Sequence, residues 1–133
     1  MKDTYLSALG RFLMSVLFIG SGLSKIGAPD ATIGYIASVG LPFATMVYGI
    51  TVLVEVGGGL LLLVGFQTRL TAAILALFTL AAGLIFHSHF ADQNQTIHFM
   101  KNLAIAGGLL QVAAMGAGGL SLDARRSASV QHR

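Results

Sequence analysis

The sequence contains no cysteine, and charged residues occupy only 10% of its 133 positions. Without cysteine, the chain itself can form no disulfide, thiolate metal site or thiol redox centre. Soluble domains carry about 25% charged residues, whereas here 55% of the residues are hydrophobic and the mean hydropathy is +0.80. A soluble domain of this size could not bury so much apolar side chain, because a small fold leaves much of its surface in water. The composition therefore predicts an integral membrane protein.

The net charge of +3 comes from dispersed residues and not from a basic stripe. A nucleic-acid partner is therefore not expected, because binding to phosphates requires clustered lysine and arginine. The lipid bilayer is the expected partner, and a small positive excess is usual in the segments that flank membrane helices.

Four long apolar runs predict four transmembrane helices, since each approaches the roughly 20 residues needed to cross the hydrocarbon. Lipid-exposed chains must close their backbone hydrogen bonds, which favours helices, and no run alternates polar and apolar residues as a strand would. The predicted fold is an all-α four-helix transmembrane bundle in one domain, residues 1–122, followed by a polar, disordered cytoplasmic tail, residues 123–133. The predicted spans are residues 6–23, 43–64, 70–86 and 99–120.

The segment between the first two spans has a different character. Pro29 and Asp30 are typical of a helix start, and Ile33 and Ile36 give the segment one apolar side. It is too short to cross the bilayer, so we predict a short helix that lies at the membrane interface.

The distribution of lysine and arginine predicts the orientation. With four spans, both termini and the turn at residues 65–68 share one side of the membrane. That side carries the larger number of basic residues, namely Lys2, Arg69, Arg125, Arg126 and Arg133, against Lys25 and Lys101 on the other. The positive-inside rule therefore places both termini in the cytoplasm.

Glu55 is the only glutamate and lies near the middle of the second span. An unpaired carboxylate in hydrocarbon costs several kcal/mol, so Glu55 needs a partner or a proton. Arg11, inside the first span, is the partner that the sequence favours, because the two depths differ by only several ångströms at about 1.5 Å per residue. We therefore predict an intramembrane Arg11–Glu55 pair as the candidate catalytic site. A purely structural ion pair that fixes helix register remains the alternative.

A second group of polar residues gathers toward the opposite, predicted outer end of the spans. Donors at this end could bind an anion or the carbonyl group of a quinone. Histidines in headgroup-level loops are the alternative interpretation. Haem ligation lacks an attachment motif, and a histidine metal site lacks a carboxylate or thiolate complement. The candidate substrate-binding residues are Lys25, His87, His98, Lys101 and Asn102.

The order and spacing of several short motifs resemble the DoxX family of small bacterial membrane proteins, over residues 9–120. The matching motifs are Gly10-Arg11 with Phe18, Gly22 and Lys25, then Glu55 with Gly58-Gly59 and Gly65, then Thr68-Arg69, and finally Lys101-Asn102-Leu103 with Gly107-Gly108. The resemblance implies a four-helix bundle in the bacterial inner membrane and a link to quinone redox chemistry. The family takes its name from a subunit associated with a terminal quinol oxidase, and relatives serve in thiosulfate:quinone oxidoreduction.

Three functions are consistent with these features. The first is a quinone-associated redox accessory subunit, in which Glu55 handles a proton and a partner redox protein supplies the electrons. The second is a non-catalytic module that assembles or stabilises a partner complex. The third is a small-molecule carrier, which with only four helices would need to form a homo-oligomer.

Overall fold

A computed structural model describes residues 1–131 of the chain; His132 and the predicted cytoplasmic Arg133 lie outside the described residues. Helices account for most of residues 1–131, which contain no strand. Four helical stretches are long and apolar enough to cross a membrane, which confirms the predicted all-α transmembrane bundle. These stretches are Lys2–Gly27, Ala44–Val64, Thr68–Phe86 and Gln93–Met115.

The second of these stretches is a composite of three helical segments. Helix α3 spans Ala44–Val52, a π-helical turn follows at Leu53–Gly57, and α4 continues over Gly58–Val64. Single π turns inside α-helices occur frequently at functional sites. This one, called the π segment below, contains Glu55.

Glycines allow helix α1 (Lys2–Gly27) to pack closely against the π segment and α4. A Cβ atom placed on Gly22 would come within 2.5 Å of the Val56 Cγ2 atom, and one placed on Gly59 would come within 2.7 Å of the Ile19 Cγ1 atom. Small residues at such contacts let membrane helices approach until their backbones nearly touch. The second helix pair of the bundle is α5 (Thr68–Phe86) packed against α6 (Gln93–Met115).

A cluster of fully buried side chains joins the two helix pairs. Leu62 of α4, Leu75 of α5 and Leu109 of α6 are each 0% exposed and pack with Phe18 of α1. Phe18 also lines a cavity on the other side of this core. This cavity occupies the end of the bundle opposite the chain termini, called the hollow end below, and the end that carries the termini is called the packed end.

The predicted short helix is present as α2, Pro29–Ser38, with Pro29 at its beginning. Proline suits this position because its missing N–H would have no helical partner there. Ile36 is 3% exposed, and the Tyr35 ring stacks on Phe86 of α5 with 5.5 Å between centroids. Helix α2 therefore covers the hollow end of the bundle. Its position relative to the membrane stays a prediction.

The helix that carries the predicted fourth span, residues 99–120, begins before the span and ends within it. Helix α6 begins at Gln93, because the Asp92 side chain accepts a hydrogen bond from the Asn94 N–H and caps the first turn. It ends at Met115, because Gly116 adopts a φ of +86° that leaves the helix. Hydropathy alone extended the span through apolar residues whose backbone is not helical.

The predicted disordered tail was wrong over the described residues. Residues Leu122–Gln131 form helix α7, and the Asp123 carboxylate accepts hydrogen bonds of 2.8 Å from the backbone N–H groups of Gln67 and Thr68. Partial burial acts to raise the pKa of Asp123, but the bonds from Thr68 and Gln67 and the charge of Arg126 together hold it below its ordinary value. The same carboxylate thus attaches α7 to the bundle and caps the start of α5.

Candidate functional site

The Glu55 carboxylate is buried in the bundle, where it forms an ion pair with Lys25. The residue is 6% exposed, and the Lys25 Nζ atom lies 3.0 Å from both carboxylate oxygens. The Ser21 hydroxyl donates to the Glu55 Oε1 atom over 3.2 Å and accepts a 2.8 Å hydrogen bond from Lys25. Glu55, Lys25 and Ser21 therefore form one connected polar cluster, called the Glu55 cluster below.

The local structure of α1 explains how a lysine near the end of one helix reaches a carboxylate midway along the second spanning stretch. Lys25 stands one turn after Ser21, so its flexible stem can run back along the helix toward the hydroxyl group. The Tyr48 hydroxyl of α3 donates to the Lys25 carbonyl oxygen over 3.2 Å, which ties this turn of α1 to α3. The Lys25 side chain remains 28% exposed, so the cluster is buried from one side only.

The predicted Arg11–Glu55 pair was wrong. Arg11 is 2% exposed, but its guanidinium donates to four backbone carbonyl oxygens instead of a carboxylate. Two of the acceptors, Leu62 and Leu63, lie in the last turn of α4, where carbonyl groups lack the usual helical partner four residues on. The Leu62 carbonyl also accepts from the Gly65 N–H over 3.3 Å. The others are Ala117 and Leu120, in the loop after α6.

Arg11 thus serves a structural role at the packed end of the bundle. Its five N–H donors suit several acceptors that converge from different directions. The Ser7 hydroxyl adds another bond to the Ala117 carbonyl oxygen, over 3.1 Å. This cluster joins α1, α4 and the segment after α6, and it lies apart from the Glu55 cluster.

A cavity of about 460 Å³ occupies the hollow end of the bundle. Its walls are mainly apolar side chains from five helices, including Phe18 of α1, Ile36 of α2 and Phe78 of α5. The polar residues that line it are Ser21, Lys25, Thr32, Thr51, Glu55, Thr79, His87 and Asn102. An apolar pocket with a few convergent polar groups and a buried ion pair is typical of a small-molecule binding site.

Four predicted site residues therefore lie in one cavity: Glu55, Lys25, His87 and Asn102. Asn102 of α6 donates to the Thr79 carbonyl oxygen of α5 over 3.2 Å, which holds these two walls together. His87 follows the last residue of α5, and its Nδ1 atom lies 3.3 Å from the Gln95 Oε1 atom.

The remaining two predicted residues are outside the cavity lining. His98 is exposed but stacks on the His87 ring, with 5.0 Å between ring centroids, so it packs behind a residue of the cavity lining. Lys101 is exposed on α6 and is not part of the lining. Within residues 1–131, no three histidine or acidic side chains gather as metal ligands would.

Sequence reasoning missed Ser21 and Tyr48 as members of the site. Ser21 could have been found, because it precedes Lys25 by four residues and so shares its helix face. Tyr48 bonds to a backbone carbonyl group, and side-chain spacing does not reveal such a bond.

The comparison with known proteins agrees with this membrane architecture. The DoxX family model matches residues 6–88, which include Arg11 and the whole Glu55 cluster. This chain belongs to the DoxX family. It is 43% identical over 115 residues to the inner membrane protein YqjF of Escherichia coli strain K12, covering 86% of this chain and 87% of the relative.

A second relative extends the similarity along the chain. The inner membrane protein YphA of the same strain is 35% identical over 123 residues, covering 88% of this DoxX protein and 87% of the relative. No solved structure matches the chain.

Proposed function

We propose that this DoxX protein resides in the bacterial inner membrane, binds a quinone-type redox lipid in its cavity, and serves as an accessory subunit of a membrane redox system. The observation that carries the proposal is the Glu55–Lys25 ion pair, which lies in the lining of an apolar cavity of about 460 Å³. The inner-membrane location is supported by the names of both relatives.

The size and walls of the cavity suit an amphiphile with a compact polar head. Ligand pockets usually measure about 300–1,000 Å³ and are largely apolar with a few polar groups. Three lining residues, Leu17, Ile50 and Ile85, are 46%, 53% and 43% exposed, on a surface that lipid would cover. An apolar ligand could therefore enter from the bilayer and leave the rest of its tail among the lipids.

The chemistry of the Glu55 cluster suits proton transfer beside such a head group. A bound quinone would supply the redox chemistry, and its interconversion with the reduced form consumes or releases protons. Glu55 can accept or deliver a proton, while Lys25 and Ser21 hold its charge in place. The electrons come from a partner protein, because carboxylate and ammonium groups transfer protons and not electrons.

Quinone content measured after purification tests the proposal. Ala82 lines the cavity, so Ala82→Phe should fill part of it, whereas Ala104 is an exposed α6 residue outside the lining and Ala104→Phe is the matched control. Mass spectrometry of lipids extracted from the detergent-purified proteins should find near-stoichiometric quinone in the wild type and in Ala104→Phe, and a large loss in Ala82→Phe. Equal, trace amounts in all three would refute the proposal. A reproducible co-purifying protein in that case would favour the assembly module instead.

A carrier function is the second candidate, because the cavity reaches Glu55 from one end of the bundle while the Arg11 cluster closes the other. Alternating access with four helices requires more than one chain. Transport of a quinone analogue or other amphiphile across proteoliposomes, abolished by Ala82→Phe and retained by Ala104→Phe, would favour this function over the redox subunit.

A further inference from the structure

A second cavity lies at the packed end of the bundle, between α7, the start of α5 and the loop that follows α6. This cavity, called the α7 groove below, measures about 800 Å³, and no residue of the Glu55 cluster lines it. Arg69, one of its lining residues, is the second residue of the spanning helix α5. The α7 groove therefore lies where a spanning helix ends, at the level of the lipid headgroups.

Two exposed arginine side chains line the α7 groove, Arg69 and Arg126. The Arg69 guanidinium lies beside the loop after α6, since a Cβ atom placed on Gly116 would be 3.4 Å from the Arg69 Nε atom. Among residues 1–131, Arg69 donates only to the Ala114 carbonyl group, and Arg126 lies over the Phe66 ring, 5.3 Å from its centroid, without donating a hydrogen bond. Because a guanidinium has five N–H donors, most donors of both arginines remain available to a ligand.

The loop after α6 adds backbone donors to the same groove. The carbonyl groups of Ala117 and Leu120 accept hydrogen bonds from Arg11. In a planar trans peptide the carbonyl group and the following N–H point in opposite directions, so the N–H groups of Gly118 and Ser121 point away from Arg11. Gly118 and Ser121 both line the α7 groove, and neither N–H has a hydrogen-bond partner among residues 1–131.

The charged side chains of the lining leave a positive excess. Asp123 is the only acidic residue that lines the α7 groove within residues 1–131, and its two oxygens already accept hydrogen bonds from the N–H groups of Gln67 and Thr68. Two arginines and one aspartate give the lining a net charge of +1. The α7 groove is therefore suited to a ligand group with a single negative charge.

From these donors and this charge we infer that the α7 groove binds the phosphate group of an anionic phospholipid. Arginine binds phosphate through paired, charge-assisted hydrogen bonds, and basic pockets at the ends of membrane helices bind anionic lipid headgroups. The phosphodiester of such a lipid carries one negative charge. Three apolar residues of the lining, Leu70, Met115 and Val130, are 60%, 79% and 74% exposed, and they can contact the glycerol and upper acyl chain that free phosphate lacks. The bound phosphate joins Arg69 of α5 to Arg126 of α7.

Lipid titration of the detergent-purified full chain, read by native mass spectrometry, tests the inference. The probes are phosphatidylglycerol, phosphatidylcholine with the same acyl chains, and inorganic phosphate. We expect one phosphatidylglycerol per chain, bound about tenfold or more tightly than phosphatidylcholine and retained in the presence of equimolar phosphate. Equal binding of the two lipids would overturn the inference. Displacement of phosphatidylglycerol by equimolar phosphate would also overturn it, because the site would then be one for a free anion.

Two double variants test whether the α7 groove, and not the general charge of this end, holds the lipid. Arg69→Gln with Arg126→Gln removes both arginines of the lining. Lys2→Gln with Arg125→Gln is the matched control, because it removes the same charge from exposed residues outside the lining. The groove variant should lose about tenfold or more in affinity for phosphatidylglycerol, whereas the control should stay within about threefold of the wild type. Equal losses in both variants would overturn the inference, and the lipid preference of the wild type is measured independently of either.

Discussion

Replacing Arg11 by methionine removes a buried guanidinium that donates to four backbone carbonyl groups. The bonds to Leu62 and Ala117 are fully buried, whereas those to Leu63 and Leu120 are partly buried, so water can replace only the second pair. The two buried carbonyl groups each keep a second donor, the Gly65 N–H for Leu62 and the Ser7 hydroxyl for Ala117. A hydrogen bond to a charged group contributes about 1.5–3 kcal/mol, so the loss of the two buried bonds alone predicts a destabilisation of about 4 kcal/mol. That loss is a large fraction of the stability of most domains, about 5–15 kcal/mol.

The assay is reversible unfolding of the purified protein in mixed micelles, followed by circular dichroism. Arg69→Met is the matched control, because Arg69 is exposed and donates to a single carbonyl group, that of Ala114 over 2.7 Å. We expect the control to lose less than about 1 kcal/mol. Equal destabilisation by Arg11→Met and Arg69→Met would refute the conclusion that Arg11 stabilises the packed end of the bundle. Loss of ligand binding in a fully folded Arg11→Met protein would refute its separation from the Glu55 cluster.

Three further predictions concern the ion pair, the helix contact and the attached tail. Lys25→Met should destabilise the protein in the same assay by about 3 kcal/mol or more, because it leaves Glu55 buried without a counter-charge. The double variant Lys25→Met with Glu55→Leu should recover most of that loss. No recovery would show that the two residues do not act as one ion pair. Gly22→Ala should lower the free energy of unfolding by about 1–3 kcal/mol, because its Cβ atom would meet Val56. Gly20→Ala should be neutral or stabilising, because its Cβ atom would have nothing within 4 Å. Equal effects would contradict the close packing of α1 against the π segment. The folded-state pKa of Asp123 is lowered, so the stability that its hydrogen bonds contribute should be complete above the pKa of an unfolded aspartate, about 3.9, and disappear as the pH falls through the folded value. Protease cleavage of α7 should therefore rise over that range in the wild type. Asp123→Asn should show the same cleavage at every pH.

The transmembrane helices could be predicted because they depend on hydropathy, which the sequence states directly. The start of α2 could also be predicted, because Pro29 has the same local preference wherever it occurs. The end of α6 could not, because it depends on a positive φ at Gly116 within an apolar run.

The need of Glu55 for a partner was evident from the cost of burying a charge, but the identity of the partner was not. The depths of the residues along their helices favoured Arg11 over Lys25 as the partner of Glu55. Depth alone does not include the length of the lysine side chain, which can extend along its own helix and reach deeper groups. The true acceptors of Arg11 are carbonyl groups at a helix end and in a loop, and every residue type carries a carbonyl group. Their convergence on one point depends on backbone geometry and is therefore invisible in the sequence.

The π segment has a consequence for how this helix can vary. It holds one residue more than α-helical winding would require, so α3 is turned by about 100° from the register that α4 alone would give it. The face of α4 that contacts α1 through glycine and the face of α3 that lines the cavity therefore have two separate rotational phases, although both belong to one membrane helix. Deleting a single residue from the π segment would merge the two phases and keep the helix continuous and apolar. It would also rotate Tyr48 away from the Lys25 carbonyl group and Thr51 away from the cavity.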